Sequence, residues 1–450
     1  MLVLKKIISA IIVFIITVLP FGNENSTQKC KPEFNGTFLQ SWLSLTWDDE
    51  RWQKEVQNMQ DAGIEYLILQ DVANKSYKAS GGQWSVYYES EIVVFENATV
   101  YPDVIDAALR NIKGTGIKVF IGLAMFDDFW TEGAITSQYS EMCAVASEMV
   151  EEIYNKYYED YSDCFYGWYF TPEFNNVLMC QINISGMSKG VNKIIDSINA
   201  TNKDLPLLMS PFYAQYLATG PVTTLVNLVR LINGINFRDG DIFAPQDAVG
   251  AGWVSYKNLE RNWKLYSTAV KTCDADLKLW ANCENFKLAI NSSILPGIAT
   301  RPVTENKESV PATLDRFIGQ MQIASKYCEN IISFSYNHYY SPDAASSIYI
   351  ETYLDYIENE YSLENSAPSE VSSLKKIETD DGTVISWDES TDNIGIAYYR
   401  IEKNGKFFSR VEMCYGEYDL SVIDSDGKIE DIYTVTSYDA AGNSSNPVSV

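Results

Sequence analysis

The sequence predicts an α/β protein in which a closed (β/α)8 barrel precedes a small all-β sandwich. Three observations carry that prediction. Strand-like and amphipathic helix-like runs alternate eight times through the first three quarters of the chain. The strand-like runs are almost continuously apolar, as strands covered on both faces must be. Near residue 361 the texture changes, and the hydrophobic period becomes two, broken by Asp-Gly, Asn-Gly and Gly-Asn turn signals.

The eight strands are expected at Thr37–Trp42, Ile64–Gln70, Ile117–Ala124, Phe165–Thr171, Pro206–Met209, Asp241–Pro245, Leu277–Ala281 and Asn330–Tyr336. Between them lie stretches such as "VIDAALRNI", "EMCAVASEMVEEIYNKYY", "LVNLVRLI" and "TLDRFIGQMQIASKY", whose apolar residues recur every three or four positions. Eight β-then-α units favour closure into a barrel. An open doubly wound sheet is the alternative, but it does not need all eight. Residues 72–102 form a long second βα connection that should carry a hairpin of its own and help shape a site.

At the N-terminus, Lys5 and Lys6 precede an apolar core from Ile7 to Leu19, after which polar residues take over. That layout is a secretory signal, with a core short for a membrane span. No Ala-x-Ala cleavage pattern follows, so an uncleaved N-terminal anchor is the alternative and the only membrane association expected. The organisation is therefore a signal or anchor over 1–29, the barrel over 30–361, a Ser- and Pro-containing linker over 362–368, and an all-β module over 369–450. The expected location is secreted or cell-surface. Eight scattered cysteines with no Cys-x-x-Cys pair leave disulfides and buried thiols equally open.

The 60 acidic residues against 34 basic ones, a net charge of −26, disfavour nucleic acid and anionic membranes as partners. No glycine-rich phosphate loop is present. The single histidine, His338, excludes a multi-histidine metal site and restricts a Ser-His-Asp triad to its own neighbourhood. Neither metal nor cofactor is expected, and carboxylates become the natural groups for acid–base chemistry.

Two of them sit where barrel enzymes place their chemistry, at the C-terminal ends of strands. Glu173 follows the fourth strand in "GWYFTPEF", and Glu284 ends the seventh in "LWANCENF". A carboxylate behind such an apolar run is costly without a partner or a wet mouth to point into. Two carboxyl groups across a barrel mouth can divide the cleavage of a glycosidic bond. One protonates the departing oxygen, and the other attacks the anomeric carbon or activates water. The bland alternative is that each is a solvated loop glutamate.

Other strand ends supply binding candidates. Gln40 and Trp42 end the first strand and Gln70 the second, with Trp42 as a surface on which a sugar ring can stack. Gln246 and Asp247 end the sixth. Asp247 reads equally as an acceptor for a substrate hydroxyl, a group tuning a neighbouring carboxyl, or a cap for the turn that Gly250 and Gly252 allow. After the eighth strand come Asn337, His338 and Tyr339, suited to a polyhydroxylated ligand. For all of these, packing at the barrel rim is the competing explanation.

Two resemblances bear on these readings. The segments "WDESTDNIGIAYYRIEKNG" and "YTVTSYDAAGNSS" resemble fibronectin type III modules of secreted bacterial carbohydrate-active enzymes, which implies an immunoglobulin-like sandwich. Lacking an obvious aromatic platform, that module reads as a spacer. The set "FNGTFLQSW", "GIEYLILQD", "KVFIGLAM", "GWYFTPEF", "DIFAPQDAVG" and "LWANCENF" resembles the motifs of the TIM-barrel family catalogued as domain of unknown function 4434, grouped with glycoside hydrolases. The likeness runs over about residues 34 to 345 and places Gln40, Trp42, Gln70, Glu173, Gln246, Asp247 and Glu284 on motif positions. That family is similar to a clan of retaining glycosidases with a glutamate acid/base after strand four and a glutamate nucleophile after strand seven. Here Pro172 stands where the clan carries the Asn that contacts the sugar 2-hydroxyl.

The expectation is an exported glycoside hydrolase acting on an oligo- or polysaccharide, with Glu173 as acid/base and Glu284 as nucleophile. The alternative is a non-catalytic carbohydrate-binding or surface-adhesion protein on the same scaffold.

Overall fold

The computed structural model describes residues 28–76, 81–126, 136–176, 184–214, 220–288, 309–415 and 418–450. The export segment expected over 1–29 therefore lies, up to residue 27, outside the described residues. Among these residues no helix is long and apolar enough to cross a membrane. They divide into two compact units: the first runs to residue 249 and includes 253–283 and 321–334, and the second comprises 250–252, 284–320 and 335–450.

The first unit holds the barrel except for Glu284, the last residue of its seventh strand, which falls in the second unit. The barrel strands are β1 (Gly36–Leu39), β2 (Tyr66–Leu69), β3 (Lys118–Gly122), β4 (Phe165–Phe170), β5 (Leu207–Met209), β6 (Ile242–Phe243), β7 (Lys278–Glu284) and β8 (Asn330–Phe334). They close in the order 1-8-7-6-5-4-3-2, with every pairing parallel. Each strand sends a side chain into one interior layer: Phe38, Ile68, Phe120, Tyr169, Leu208, Ile242, Trp280 and Ile332. Strand alternation then dictates the next layer toward the C-terminal ends, because residues two positions on share that face. It falls to Gln40, Gln70, Gly122, Thr171, Ser210, Ala244, Asn282 and Phe334, so five of the eight positions pass from apolar to polar within one step of the pleat.

The helices form where capping and periodicity agree. Helix α1 (Asp49–Asp61) opens with Asp48 accepting the Arg51 amide at 2.9 Å, and its chain turns away at Gly63, whose φ of 75° is left-handed. Helix α2 (Val104–Ile112) is the whole of "VIDAALRNI", capped by Asp103 on the Asp106 amide. Helices α3 (Thr136–Tyr161), α4 (Ile184–Thr201), α5 (Pro221–Ile232) and α6 (Leu259–Val270) follow. Pro221 starts α5 at the first turn, where its missing N–H costs nothing. The second connection does carry its own hairpin: Ala73–Lys75 pairs antiparallel with Trp84–Val86, and Thr99–Val100 and Ala124–Phe126 extend the sheet to four strands.

At the floor of the barrel, Asp241 is almost fully buried and accepts from Arg238 through its side chain and its backbone amide. The same carboxylate takes the Leu207 amide at 2.8 Å, which ties the start of β5 to that of β6. A buried carboxylate survives there because four N–H groups surround it.

In the second unit, the hairpin Phe286–Leu288 with Ser309–Pro311 is followed by α7 (Leu314–Ala324), which begins in this unit, then α8 (Tyr336–Tyr339) and α9 (Ile348–Glu358). The C-terminal region is all-β and antiparallel. One sheet holds β9 (Ser372–Thr379), β10 (Gly382–Asp388) and β13 (Ser421–Asp424). The other holds β11 (Ile396–Lys403), β12 (Lys406–Glu412), β14 (Tyr433–Asp439) and β15 (Val448–Ser449). Inward residues of both sheets, among them Ile385, Trp387, Tyr399, Ile401, Tyr433 and Val435, make one core. The Asn-Gly signal marks the β11–β12 turn: Asn404 and Gly405 have φ of 52° and 72°, the pairing a tight primed hairpin requires.

Most strand boundaries shift by one to three residues from expectation, and three of the shifts move candidate site residues. The first strand stops at Leu39, and Ser41–Ser44 turn into a 3-10 helix, so Trp42 stands on that helix. The seventh strand runs on to Glu284, which is its last residue. The eighth stops at Phe334, and Asn337, His338 and Tyr339 lie on α8. All seven cysteines among the described residues are free thiols, while Cys180 lies outside them.

Candidate active site

In the first unit, the chain leaves β4 through Thr171 and Pro172 to Glu173 without helix or strand, and the Phe174 carbonyl accepts the Phe212 amide at 2.9 Å. Glu173 as a residue keeps some solvent-accessible surface, but its carboxyl is enclosed by protein atoms, and the carboxyl governs the proton. Burial pushes its pKa up to about 7, and the Gln246 side-chain amide, bonded to it, pulls the other way. A carboxyl of this kind holds a proton near neutrality. Tyr169, four residues earlier, on β4, has its hydroxyl raised well above normal, first by burial and then by the charges of Glu173 and Asp71. These three groups therefore share one electrostatic environment.

Gln246 is itself fixed. Its Nε2 donates to the Ser210 carbonyl at 3.2 Å, and its backbone amide donates to the Pro211 carbonyl at 2.8 Å. Asn282, two residues before the end of β7, donates to the Ser210 hydroxyl at 3.0 Å and leaves its buried Oδ1 without a hydrogen-bond partner. The ends of β4, β5, β6 and β7 are thus linked by amides and hydroxyls, the groups that recognise sugar hydroxyls. Asp247 is buried, with its Oδ1 accepting the Val249 amide at 3.1 Å across Ala248, which is held at φ 54°. Of its three readings, the turn cap is seen directly. Burial raises the Cys283 thiol well above normal, and the Asp247 charge and hydrogen bond add to it.

Glu284 belongs to the second unit. It is 3% exposed, and its Oε2 accepts the Ala251 amide at 2.7 Å. Gly250 makes this approach feasible: a Cβ there would lie 2.4 Å from the Phe286 carbonyl oxygen and 2.9 Å from Glu284 Cβ. Tyr339 stacks on Phe286 at 5.3 Å and shares a 2.7 Å hydrogen bond with the Ser309 hydroxyl. Its pKa is raised by burial, lowered by Ser309, and raised again by the Glu284 charge, which brings Tyr339 and Glu284 into one environment.

Of the sequence candidates, Glu173 and Gln246 are in direct contact, and Glu284 and Tyr339 are coupled electrostatically. Gln40 and Gln70 occupy interior positions one layer above the apolar floor, and Gln70 Oε1 is buried with no hydrogen-bond partner. Trp42 is 53% exposed on its 3-10 helix. Asn337 is buried on α8, and His338 lies 5.9 Å from Tyr339, ring to ring. Three polar groups escaped the sequence reading: Asn282, Ser210 and Gln320, the last donating to the Glu284 carbonyl at 3.1 Å. Asn282 was discoverable, since it shares the strand face of Glu284 at a spacing of two. Among the described residues no three His, Cys, Asp or Glu side chains gather in a way that could hold a metal ion.

The sequence profile of the family described as "Domain of unknown function (DUF4434)" matches residues 34–346. No curated protein matches. Among solved structures, this chain is similar to a putative alpha-L-fucosidase from Bacteroides thetaiotaomicron, with 17% identity and a TM-score of 0.58 over 77% of this chain and 99% of that one. A glycoside hydrolase family 5 protein from Bacteroides vulgatus is 11% identical over 91% of this chain and 90% of that one, with a TM-score of 0.42. At these identities the first likeness establishes a glycoside-hydrolase-like barrel fold, and the second carries no further weight.

Proposed function

This chain belongs to the DUF4434 family, and on that premise we propose that it is a glycoside hydrolase cleaving O-glycosidic bonds of an oligo- or polysaccharide. One observation carries the reading. Glu173, at the C-terminal end of β4, has a carboxyl pushed up to about 7 by burial and touched by the Gln246 amide. That is the proton affinity a general acid needs at neutral pH. Glu284, at the end of β7, is the second carboxyl, and the Ala251 N–H holds its Oε2.

In this mechanism Glu173 delivers its proton to the departing glycosidic oxygen. Glu284 attacks the anomeric carbon, and Glu173, now a base, activates the water that releases the sugar. A carboxyl separation of about 5 Å gives retention of configuration, and one of about 6.5–9.5 Å gives inversion with Glu284 as base. Gln40, Gln70, Gln246, Asp247, Asn337, His338 and Tyr339 bind the sugar, and Trp42 offers a stacking face. Pro172 supplies no side-chain amide, so the 2-hydroxyl contact passes to another group of the site. Export through residues 1–29 and a fibronectin type III-like identity for 369–450 complete the proposal, supported by the sequence patterns given above.

The test is turnover of a panel of oligosaccharides by wild type, Glu173→Gln and Glu284→Gln. Cleavage by wild type alone upholds the paired-glutamate reading, and the anomer of the product assigns retention or inversion. A glycan bound equally by all three proteins and cleaved by none would identify a binding protein instead.

A further inference from the structure

We infer that Arg316 and Gln320 are positioning residues for Glu284, and that a turn of the C-terminal β region, residues 439–443, braces the helix that carries them. The inference deepens the proposed function, since it rests on Glu284 acting at the reacting carbon.

Three consecutive carbonyls at the end of β7 are held by side chains or backbone of the following segment. The Glu284 carbonyl accepts Gln320 Nε2 at 3.1 Å and Arg316 Nη2 at 3.4 Å. The Asn285 carbonyl accepts the Ala312 amide at 2.9 Å, and the Phe286 carbonyl accepts Arg316 Nη2. Arg316 and Gln320 are four residues apart on α7, hence on one face of it. Gln320 is fully buried, so its side chain has no solvent alternative to the bond it makes. The peptide at Glu284 is thereby fixed from behind, while the Ala251 N–H fixes its carboxyl in front.

The first turn of α7 takes two backbone acceptors from the C-terminal region: Leu314 N–H donates to the Ala440 carbonyl at 2.7 Å and Asp315 N–H to the Ala441 carbonyl at 3.1 Å. Those carbonyls are presented by a rigid turn. Asp439 Oδ1 accepts the Gly442 and Asn443 amides at 2.7 and 2.8 Å, and Asn443 Nδ2 reaches both Asp439 Oδ2 at 2.9 Å and Glu364 Oε1 at 2.8 Å. Gly442 has φ 101°, and a Cβ on it would lie 2.6 Å from Asp315 Cγ. A continuous series of contacts therefore runs from the β region through α7 to the backbone carbonyl of Glu284, which makes the β region more than a spacer. Since a displacement of about 1 Å at a reacting group costs roughly 100-fold in rate, a small shift of α7 is consequential.

The test uses the full chain as wild type, Gly442→Val, Gln320→Met, Arg316→Met and Arg316→Lys. Hydrogen exchange at the Ala251 amide reports the Glu284 contact whether or not a substrate is known. Steady-state kinetics on a cleaved sugar report catalysis, and thermal melting reports folding. Expected are faster exchange at Ala251 in Gly442→Val, Gln320→Met and Arg316→Met, and a fall in kcat of about 10- to 100-fold with KM within about twofold. Arg316→Lys, which keeps one donor, should recover part of the loss. Unchanged exchange at Ala251 in a Gly442→Val protein that is folded would overturn the brace, and unchanged exchange in Gln320→Met would overturn the positioning role. Should Gly442→Val fail to fold, Gln320→Met and Arg316→Met decide the positioning role, and Asp439→Ala, which removes the acceptor of the Gly442 and Asn443 amides that shapes the presenting turn, decides the brace: faster exchange at Ala251 upholds it and unchanged exchange overturns it. If wild type cleaves no sugar, the hydrolase reading fails while the exchange measurements still decide whether α7 holds Glu284.

Discussion

The side-chain amide of Gln246 reaches the carboxyl of Glu173, joining the end of β6 to that of β4 across the intervening β5. Two opposed influences meet at this carboxyl. Burial favours its neutral form and dominates, and the amide, a donor to the anion, favours the charged form. A general acid with this balance works while protonated, so kcat/KM should fall as pH rises through about 7. Gln246→Leu removes the opposing influence and should move that limb to higher pH. A pH–rate profile of both proteins checks it, and a limb that stays in place would detach Gln246 from the acid.

The same shift has a consequence for stability. The folded carboxyl binds its proton more tightly than the unfolded one, so its stabilising contribution is full below the ordinary carboxyl range and is lost as pH rises to about 7. Glu173→Gln carries no such loss. Its melting temperature minus that of wild type should therefore widen between about pH 4.5 and 7 and level off above. Thermal melts across that range test this, and a constant difference would mean that the carboxyl is not desolvated.

Gly250→Ala places a methyl group 2.4 Å from the Phe286 carbonyl oxygen and 2.9 Å from Glu284 Cβ. Backbone cannot yield as a flexible side chain does, so the loop carrying Ala251 must retreat. Overpacking of this kind costs about 1–3 kcal/mol, measurable by urea unfolding. Turnover should fall more than stability alone explains, because the Ala251 bond to Glu284 is lost with it.

Asp241→Ala should destabilise the protein without altering turnover by the molecules that remain folded. The substitution leaves Arg238 without the carboxylate that its guanidinium meets at 2.6 Å, and frees the Leu207 amide. Removing one partner of a buried ion pair costs about 3–5 kcal/mol. Unfolding midpoint and activity per active molecule separate the two effects.

Much of the fold was legible in the pattern of residues. The eight strands, the helix Val104–Ile112, the hairpin in the second connection and the Asn404-Gly405 turn all follow from periodicity and turn chemistry, which act over a few residues. Strand ends were less legible, because a strand stops where its neighbours stop pairing with it. Leu39 is the last residue of β1 to find a register partner, on Leu69, and Trp42 therefore falls on a helix that no local signal announces. The segment after Phe334 turns helical in the same way, carrying Asn337 to Tyr339 with it.

The sequence by itself determined which residue types stand at the C-terminal ends of the strands, since alternation along β4, β6 and β7 is a property of the chain alone. It could not determine their proton affinities or supports. The pKa of Glu173 depends on Gln246, 73 positions away, and on burial by the closed barrel. The orientation of Glu284 depends on Ala251, Arg316 and Gln320, brought to it by two loops and a helix. Desolvation and hydrogen-bond geometry are properties of space rather than of order along the chain, and only the tertiary structure decides them.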